Sequence, residues 1–531
     1  MINQNGEAHL YTVMENMVAR FLHAYNYNDL YYIGKELLLN DAKTCVSIEG
    51  EGMNCAGYSS IISELRILED RNKTRCDKQF SIWASPRYQL EQSSLDKKMI
   101  CDLYTYRFYF DEREGKHKCE LIISQLIVTF LVVDQTMKII NLLWKDIQSM
   151  IPWDYELPPN SEWFGEVQPG SLPEMRADNS PEDVLQIRNL QNYFFERKMN
   201  QTEQLFCDQA MPSLYLEPLS RNKIIGKSLI LNQINQWRRE EVLQNGYYLF
   251  LGITAAPIIE VNLENRSAEG LYFVETFHFN NQLQATTEKT PLIRYLNILK
   301  ASYCLENGEW KIRTMDLNII GELPRVIYTR GRRYDRMSQY PNSWNLDICK
   351  RKGRFIEDSY KIENILNQWV YHCRCGKLVS FYEEYMKNRE IECRMLIRSQ
   401  GERSKILSTE AEIIHKLSEM DQQFHDLMYS YHTATTPIIE IEENGNYAKA
   451  TWFDHSATNL FSMATTNELI PYMVFVAKYV HQFRRIEGKW YLVDFYWEPL
   501  ISLPDWEFNL MNSKGFVSKK DAGKYKNPYD I

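Results

Sequence analysis

Tyr431-His432-Thr433-Ala434-Thr435-Thr436-Pro437-Ile438-Ile439-Glu440-Ile441, followed after Asn444-Gly445 by Ala448-Lys449-Ala450-Thr451-Trp452-Phe453-Asp454-His455, decides how the chain folds. Two β-rich runs flank an Asn-Gly turn, so the stretch reads as a hairpin. In the second run Ala448, Ala450, Trp452, Asp454 and Ser456 share one face, and Tyr447, Lys449, Thr451, Phe453 and His455 the other. The first face is small and apolar with a single carboxylate. That suits a strand lining a ligand cavity, because a water-facing side would be polar throughout and a plain core face would carry no carboxylate.

The same punctuation recurs upstream in Phe250-Leu251-Gly252-Ile253-Thr254-Ala255-Ala256-Pro257-Ile258-Ile259-Glu260-Val261 and, more distantly, in Ser81-Ile82-Trp83-Ala84-Ser85-Pro86. Pro86, Pro257 and Pro437 are separated by 171 and 180 residues; Pro152, Pro324 and Pro504, each closing an apolar run, are separated by 172 and 180. Two landmarks with one period predict three copies of one unit, each roughly 150–180 residues long. The expected division is a first copy over 1–157, a Pro-rich linker over 158–182, a second copy over 183–326, a basic connection over 327–357, a third copy over 358–511 and a Lys-rich tail over 512–531. The basic connection, with Arg330, Arg332, Arg333, Arg336, Lys350, Arg351, Lys352 and Arg354, reads as a solvated joint rather than a phosphate-binding patch.

At 531 residues, 44% hydrophobic and 13% aromatic, the chain can build about three sizeable cores. A net charge of −9 argues against nucleic acid as a bulk partner. Residues 1–9 are polar, unlike a signal peptide, and no apolar run reaches membrane-span length, so no membrane partner and a cytoplasmic location are expected. Eleven cysteines without framework spacing point to a reducing compartment. The tight cluster His372-Cys373-Arg374-Cys375 lacks a second ligand pair at zinc spacing, so no metal site is expected. No Gly-rich phosphate loop, Gly-x-Ser-x-Gly elbow or His-Glu-x-x-His helix occurs.

Each copy opens with an amphipathic helical stretch. Met14–Tyr25, Ile187–Phe195 and Ile365–Tyr371 carry apolar residues at spacings of three and four, ending at Asn28, Asn200 and Gly376. A second short helix, a short strand and a third helix follow (Lys227–Arg239 and Ser408–Met420 in the last two copies), and four strand-like segments finish the copy. In the third copy these are Leu427–Glu442, Tyr447–Phe461, Tyr472–Ile486 and Lys489–Trp497, the last two meeting at Glu487-Gly488. Helices followed by an antiparallel meander predict an α+β fold whose curved sheet wraps on its own helices.

Three N-terminal helices, a four-stranded meander, a His five residues before a strand Pro, an Ala-x-Ala-x-Trp strand and a Gly-Lys-Trp-Tyr final strand together resemble the NTF2-like superfamily, in particular its SnoaL-like branch of polyketide cyclases, scytalone dehydratase and bile acid 7α-dehydratase. The resemblance covers nearly all of the third copy, the second in outline and the first weakly. It implies three tandem cone-shaped domains, each with a deep apolar pocket. It also implies either cofactor-independent dehydratase, isomerase or cyclase chemistry on a hydrophobic ring compound such as a steroid, polyketide or aromatic derivative, or binding without turnover. The family's histidine falls on His432. Its acid falls nearest Ser456, and Asp454, on the same face, is the expected substitute. The tyrosine position falls near Trp369 or Val370, with Tyr371 the nearest phenol. Abstraction of a proton beside a carbonyl needs a base matched to the working pH and a donor for the enolate, which a His–carboxylate pair and a phenol supply.

Tyr431, Trp452 and Trp497 are candidates for the apolar wall. A strict two-residue turn would bring His455 rather than Asp454 to the face of His432; one bulged residue restores Asp454, and the small face of Ala448, Ala450 and Trp452 favours the bulge. Gly252 and Val274 replace the pair in the second copy and Ser81 the histidine in the first, where Asp102 is a candidate for the acid. His23, Glu275 and His278 are candidate remnants. One working site with two structural copies is the expectation. The alternative is a non-catalytic binding or assembly protein in which domains pair through their sheets, copies one and two as an internal pseudo-dimer and the third in a homo-oligomer.

Overall fold

The computed structural model describes residues 6–73, 77–92, 97–111, 118–133, 136–149, 153–154, 172, 180–196, 202–217, 219–220, 222–243, 250–279, 289–329, 355–397, 405–426, 429–431, 434–435, 437–461, 468–503 and 517–518. They form an α+β protein with three similar helix–sheet units in tandem. The first contains α1 (Gly6–Asn26), α2 (Leu30–Tyr32), β1 (Cys45–Ile48), β2 (Met53–Ala56), α3 (Tyr58–Lys73), β3 (Asp77–Gln92), β4 (Lys97–Asp111), β5 (Lys118–Val133), β6 (Thr136–Ser149) and β7 (Trp153–Asp154). The second contains α4 (Pro181–Glu196), β8 (Ser213–Leu216), β9 (Ile224–Ile225), α5 (Lys227–Leu243), β10 (Phe250–Asn262), β11 (Ser267–Phe279), β12 (Lys289–Glu306) and β13 (Glu309–Thr329). The third contains α6 (Ile356–Cys375), α7 (Leu378–Tyr385), β14 (Arg394–Ile397), β15 (Lys405–Leu407), α8 (Glu410–Asp426), β16 (Tyr429–Tyr431), β17 (Ile438–Ile441), β18 (Tyr447–Phe461), β19 (Glu468–Ile486), β20 (Lys489–Leu503) and β21 (Val517–Ser518).

The six-strand paths β2-β1-β6-β5-β4-β3, β10-β11-β12-β13-β8-β9 and β15-β14-β20-β19-β18-β16 share one topology. Each sheet is mixed rather than wholly antiparallel. Four long strands make the expected meander, and the short strand before the third helix pairs in parallel with the last of them: β1 with β6, β8 with β13 and β14 with β20. Asn28 and Gly376 adopt the left-handed conformation, at φ 57° and 58°, as their residue types foretold. The predicted segment 427–442 divides into β16 and β17.

That division comes from the prolines. Proline has no N–H to give to a ladder, so each repeat inserts a bulge at this point. The register shifts between Ala84 and Arg87 in the first repeat and between Ala255 and Ile258 in the second. In the third, Tyr431↔Ala457 and Ala434↔Asp454 run one residue out of step with Ile438↔Thr451. The bulge favoured from the sequence is therefore present, and Ala434 stands opposite Asp454.

The repeats close on one another in a cycle. α1 packs on its own β3 and on β10 of the second repeat; α4 packs on its own β10 and on β17 of the third; α6 packs on its own β17 and on β3 of the first. His23 Nε2 bonds the Ala256 carbonyl at the second bulge (3.1 Å), and Asn367 Nδ2 donates to the Pro86 carbonyl at the first (2.6 Å). Where the three first helices meet, Arg188 Nη1 and Nη2 donate to Glu15 (3.0 Å) and Glu363 (2.6 Å), all three side chains buried. These three residues occupy one aligned position of the three helices. Repeats one and two thus do not form an isolated sheet-to-sheet pair: their contact is one of three helix-on-strand contacts in the cycle, joined here by contact between β3 and β10 and by a shared core that includes Ile258, Leu271 and Phe273 of the second repeat.

Candidate functional site

The inward face of the third sheet carries an acid, a phenol and an imidazole at positions that the other two sheets fill differently. Ala450, Trp452 and Asp454 of β18 stand opposite His481, Tyr479 and Ala477 of β19, and His481 and Tyr479 stand opposite Phe495 and Trp497 of β20. Cross-strand partners share a face, so these residues line one surface. Asp454 is fully buried, and the Tyr479 hydroxyl donates to its Oδ2 at 3.3 Å. Trp452 stacks on Tyr479 with centroids 4.1 Å apart, and His481 packs edge-on to both at 5.8 and 5.6 Å. Trp369 of α6 closes the group from the helix side against Phe381 (5.2 Å) and Phe495 (4.5 Å), and half-buried Trp497 lies 6.4 Å from Tyr479.

Burial sets the protonation of these groups. It lowers His481 to about 3, so the imidazole is neutral at physiological pH, and neither ring nitrogen has a hydrogen-bond partner. Burial first and the Asp454 carboxylate second hold the Tyr479 phenol well above its usual range, leaving it a donor. Cys373, one helical turn from Trp369, is raised by the same two causes. A buried carboxylate touching a protonated phenol beside a neutral imidazole can accept a proton at one point and donate one at another.

Aligning the repeats on their bulges makes Asp454 equivalent to Thr105 and Val274, Tyr479 to Leu126 and Leu299, and His481 to Val128 and Ala301. The trio belongs to the third repeat alone. In the second, Phe195 fills the corresponding space: a Cβ on Gly252 would lie 2.3 Å from its ring. In the first, Trp144 Nε1 donates to Thr105 Oγ1 at 2.8 Å. Asp102 does not hold the acidic position, being displaced beyond the bulge, where it pairs with Arg87.

His432 lies outside the described residues, as do the side chains of Tyr431, His455, Ser456 and His278. Tyr371 does not join the group. Two residues from Trp369 on a helix, it faces the other way, donating to the Asp102 carbonyl (3.1 Å) and stacking on Tyr104 (4.6 Å) of the first repeat. His23 is an inter-repeat residue stacked on Phe273 at 3.8 Å. Glu275 is buried on β11, one residue out of step with Val274 and so on the opposite face. Sequence reading missed Tyr479 and His481. The signal was their alternation in Tyr479-Val480-His481-Gln482-Phe483, directly across from the strand of Asp454. A cavity of about 10 Å³ lies where Gly252, Thr254 and Phe195 meet Thr435, Thr451 and Trp452, room for one water molecule.

No family model and no curated protein matches the chain. Among solved structures it is similar to a candidate dehydratase of the NTF2-like family from Streptomyces avermitilis, at 12% identity and TM-score 0.23 over 27% of this chain and 98% of that one. It is similar to a candidate scytalone dehydratase from Novosphingobium aromaticivorans, at 9% identity and TM-score 0.23 over 28% and 89%. A third, an NTF2-like superfamily protein from Salmonella enterica, shares 9% identity at TM-score 0.22 over 27% and 93%. Each match spans about one repeat of this chain, and the fold itself is read from the strand order and register above.

Proposed function

We propose that the third repeat is a cofactor-independent lyase or isomerase acting by proton abstraction on a hydrophobic cyclic compound bearing a hydroxyl or carbonyl group. The observation that carries this reading is the Asp454–Tyr479 hydrogen bond inside an aromatic enclosure, at positions where the other two repeats have Thr105 with Leu126 and Val274 with Leu299. A buried carboxylate is costly to keep. At this inward strand position one copy of three has a carboxylate, and among the described residues its partner there is a phenol rather than a cation, which supports a chemical use. In the proposed step His432 removes the proton beside the carbonyl, Asp454 orients it, and Tyr479 stabilises the developing enolate oxygen. A planar substrate takes the place of one partner in the Trp452–Tyr479 stack.

The test is a screen of cyclic hydroxy and carbonyl compounds against the full chain, read first by tryptophan fluorescence and then by turnover. For any substrate found, His432→Ala and Asp454→Asn are each expected to lower kcat by about 10²-fold or more; undiminished turnover in either sinks the mechanism. A second reading, binding or assembly without turnover, is favoured by the loss of the acid–phenol pair in the other two repeats, which have Thr105 with Leu126 and Val274 with Leu299 at these positions. Saturable quenching of fluorescence with no product would select it.

A further inference from the structure

We propose that Cys207, Cys304 and Glu306 bind one borderline-soft divalent metal ion, Zn²⁺ by the character of its donors, at the hairpin end of the second repeat. The site is separate from the third-repeat site, and neither proposal depends on the other. The two Sγ atoms and a Glu306 carboxylate oxygen all lie within 4.8 Å of one another. Zinc holds thiolate sulfur at about 2.3 Å and carboxylate oxygen at about 2.0–2.2 Å, so a tetrahedral site needs donors about 3.5–3.8 Å apart. The adjustment from the present spacing of up to 4.8 Å is about 1.3 Å at most.

The local fold provides the rest. Cys304 and Glu306 are alternate residues of β12, so their side chains leave the strand on one face. Cys207 arrives from the segment before β8, fixed by its own N–H to the Ile312 carbonyl (3.1 Å) of β13. Glu306 is aimed by two backbone donors, Asp208 N and Gln209 N, each 2.9 Å from one carboxylate oxygen. Such outer hydrogen bonds are what fix a metal-binding carboxylate in place. In the ion-free protein the Cys304 thiol donates to Glu306 Oε1 (3.7 Å) and the Cys207 thiol to the Ala210 carbonyl (3.1 Å), and an ion would take the place of both thiol protons. Cys207 and Glu306 are buried and Cys304 is half-exposed, which gives an ion a path in and leaves a fourth position for water. Two thiolates with one carboxylate disfavour Mg²⁺ and Ca²⁺. The positions equivalent to Cys304 and Glu306 are Leu131 and Val133 in the first repeat and Arg484 and Ile486 in the third, so the donor set is not a feature of the fold.

The experiment uses the full chain, reduced and stripped with a chelator, titrated with Co²⁺ as the spectroscopic probe. One equivalent is expected to give a thiolate-to-cobalt charge-transfer band that Zn²⁺ bleaches. The double variant Cys207→Ser/Cys304→Ser is expected to lose the band, and Glu306→Gln to weaken Co²⁺ binding by about tenfold or more while keeping it. X-ray absorption of the Zn²⁺-loaded wild type supplies a readout independent of how the variants fold: two sulfur neighbours are expected. An absent band, a band undiminished in the double variant, a zinc shell of nitrogen and oxygen alone, or an ion-free protein two hydrogens lighter than the reduced mass, as a Cys207–Cys304 disulfide would be, each overturns the assignment.

Discussion

Tyr479 has two jobs in the third repeat, one as the stacking partner of Trp452 and one as a donor to a carboxylate sealed from water. Tyr479→Phe keeps the first and removes the second. It is expected to cost about 1–3 kcal/mol in urea unfolding, because a buried acceptor loses a partner, and to lower turnover without changing the fold by circular dichroism. His481 gives a pH signature. Its folded value is lowered from 6.5 to about 3, so between these limits the unfolded chain binds the extra proton. The stability it contributes is complete above about pH 6.5 and is lost as pH falls toward 3. His23, also lowered to about 3 by burial, acts in the same sense. A His23→Phe/His481→Phe protein should therefore show a shallower loss of urea midpoint between pH 6.5 and 4 than wild type; equal slopes would mean that neither ring is buried neutral.

At the scale of elements, the first long strand of each repeat and its bulge decide what the inner face presents. In β10 the Gly252 position is closed by Phe195. Gly252→Ala is expected to destabilise by about 1–3 kcal/mol through overpacking, and Phe195→Leu in the same chain to recover part of that loss, measured as a double-mutant cycle. The strands, their hairpins and the bulge were legible in the sequence because each leaves a local mark: alternation for β18, Asn-Gly and Glu-Gly for the turns, and a proline that cannot join a ladder. Asp454 was legible for the same reason, as the odd carboxylate on an apolar face. Tyr479 was not, since β19 alternates over its whole length and nothing local distinguishes a residue facing Asp454 from its neighbours. Tyr371 misled because it is the nearest phenol in sequence, whereas on a helix it points away from Trp369. The parallel pairing of β1, β8 and β14 is non-local and left no periodicity to read.

For the whole molecule, the Glu15–Arg188–Glu363 cluster shows how three unlike copies are held in one arrangement. A single charged residue type at this aligned position would bring three like charges together; Glu, Arg and Glu instead give one shared cation between two carboxylates. Burial raises Glu15 to about 7, while its neighbour Glu363 adds to the rise and Arg188 opposes it. The unfolded chain releases this proton near 4.5, so the contribution of Glu15 is fullest below that value and declines as pH rises through 7. Glu15→Gln should flatten the stability profile between about pH 4.5 and 7, measured by urea midpoints. Arg188→Met, which leaves two buried carboxylates without their cation, should cost about 3–5 kcal/mol, whereas replacing all three by Leu, Met and Leu should be neutral or stabilising. The closing of the cycle also sets a schedule for synthesis. Asn367 reaches back 281 residues to the Pro86 carbonyl. At about 5–20 residues per second, roughly 15–60 s separate the two on the ribosome. Throughout that interval the β3 surface that α6 will cover stands open to solvent, so ribosome-bound chains halted before residue 355 are expected to be recovered with chaperones more than chains released at full length.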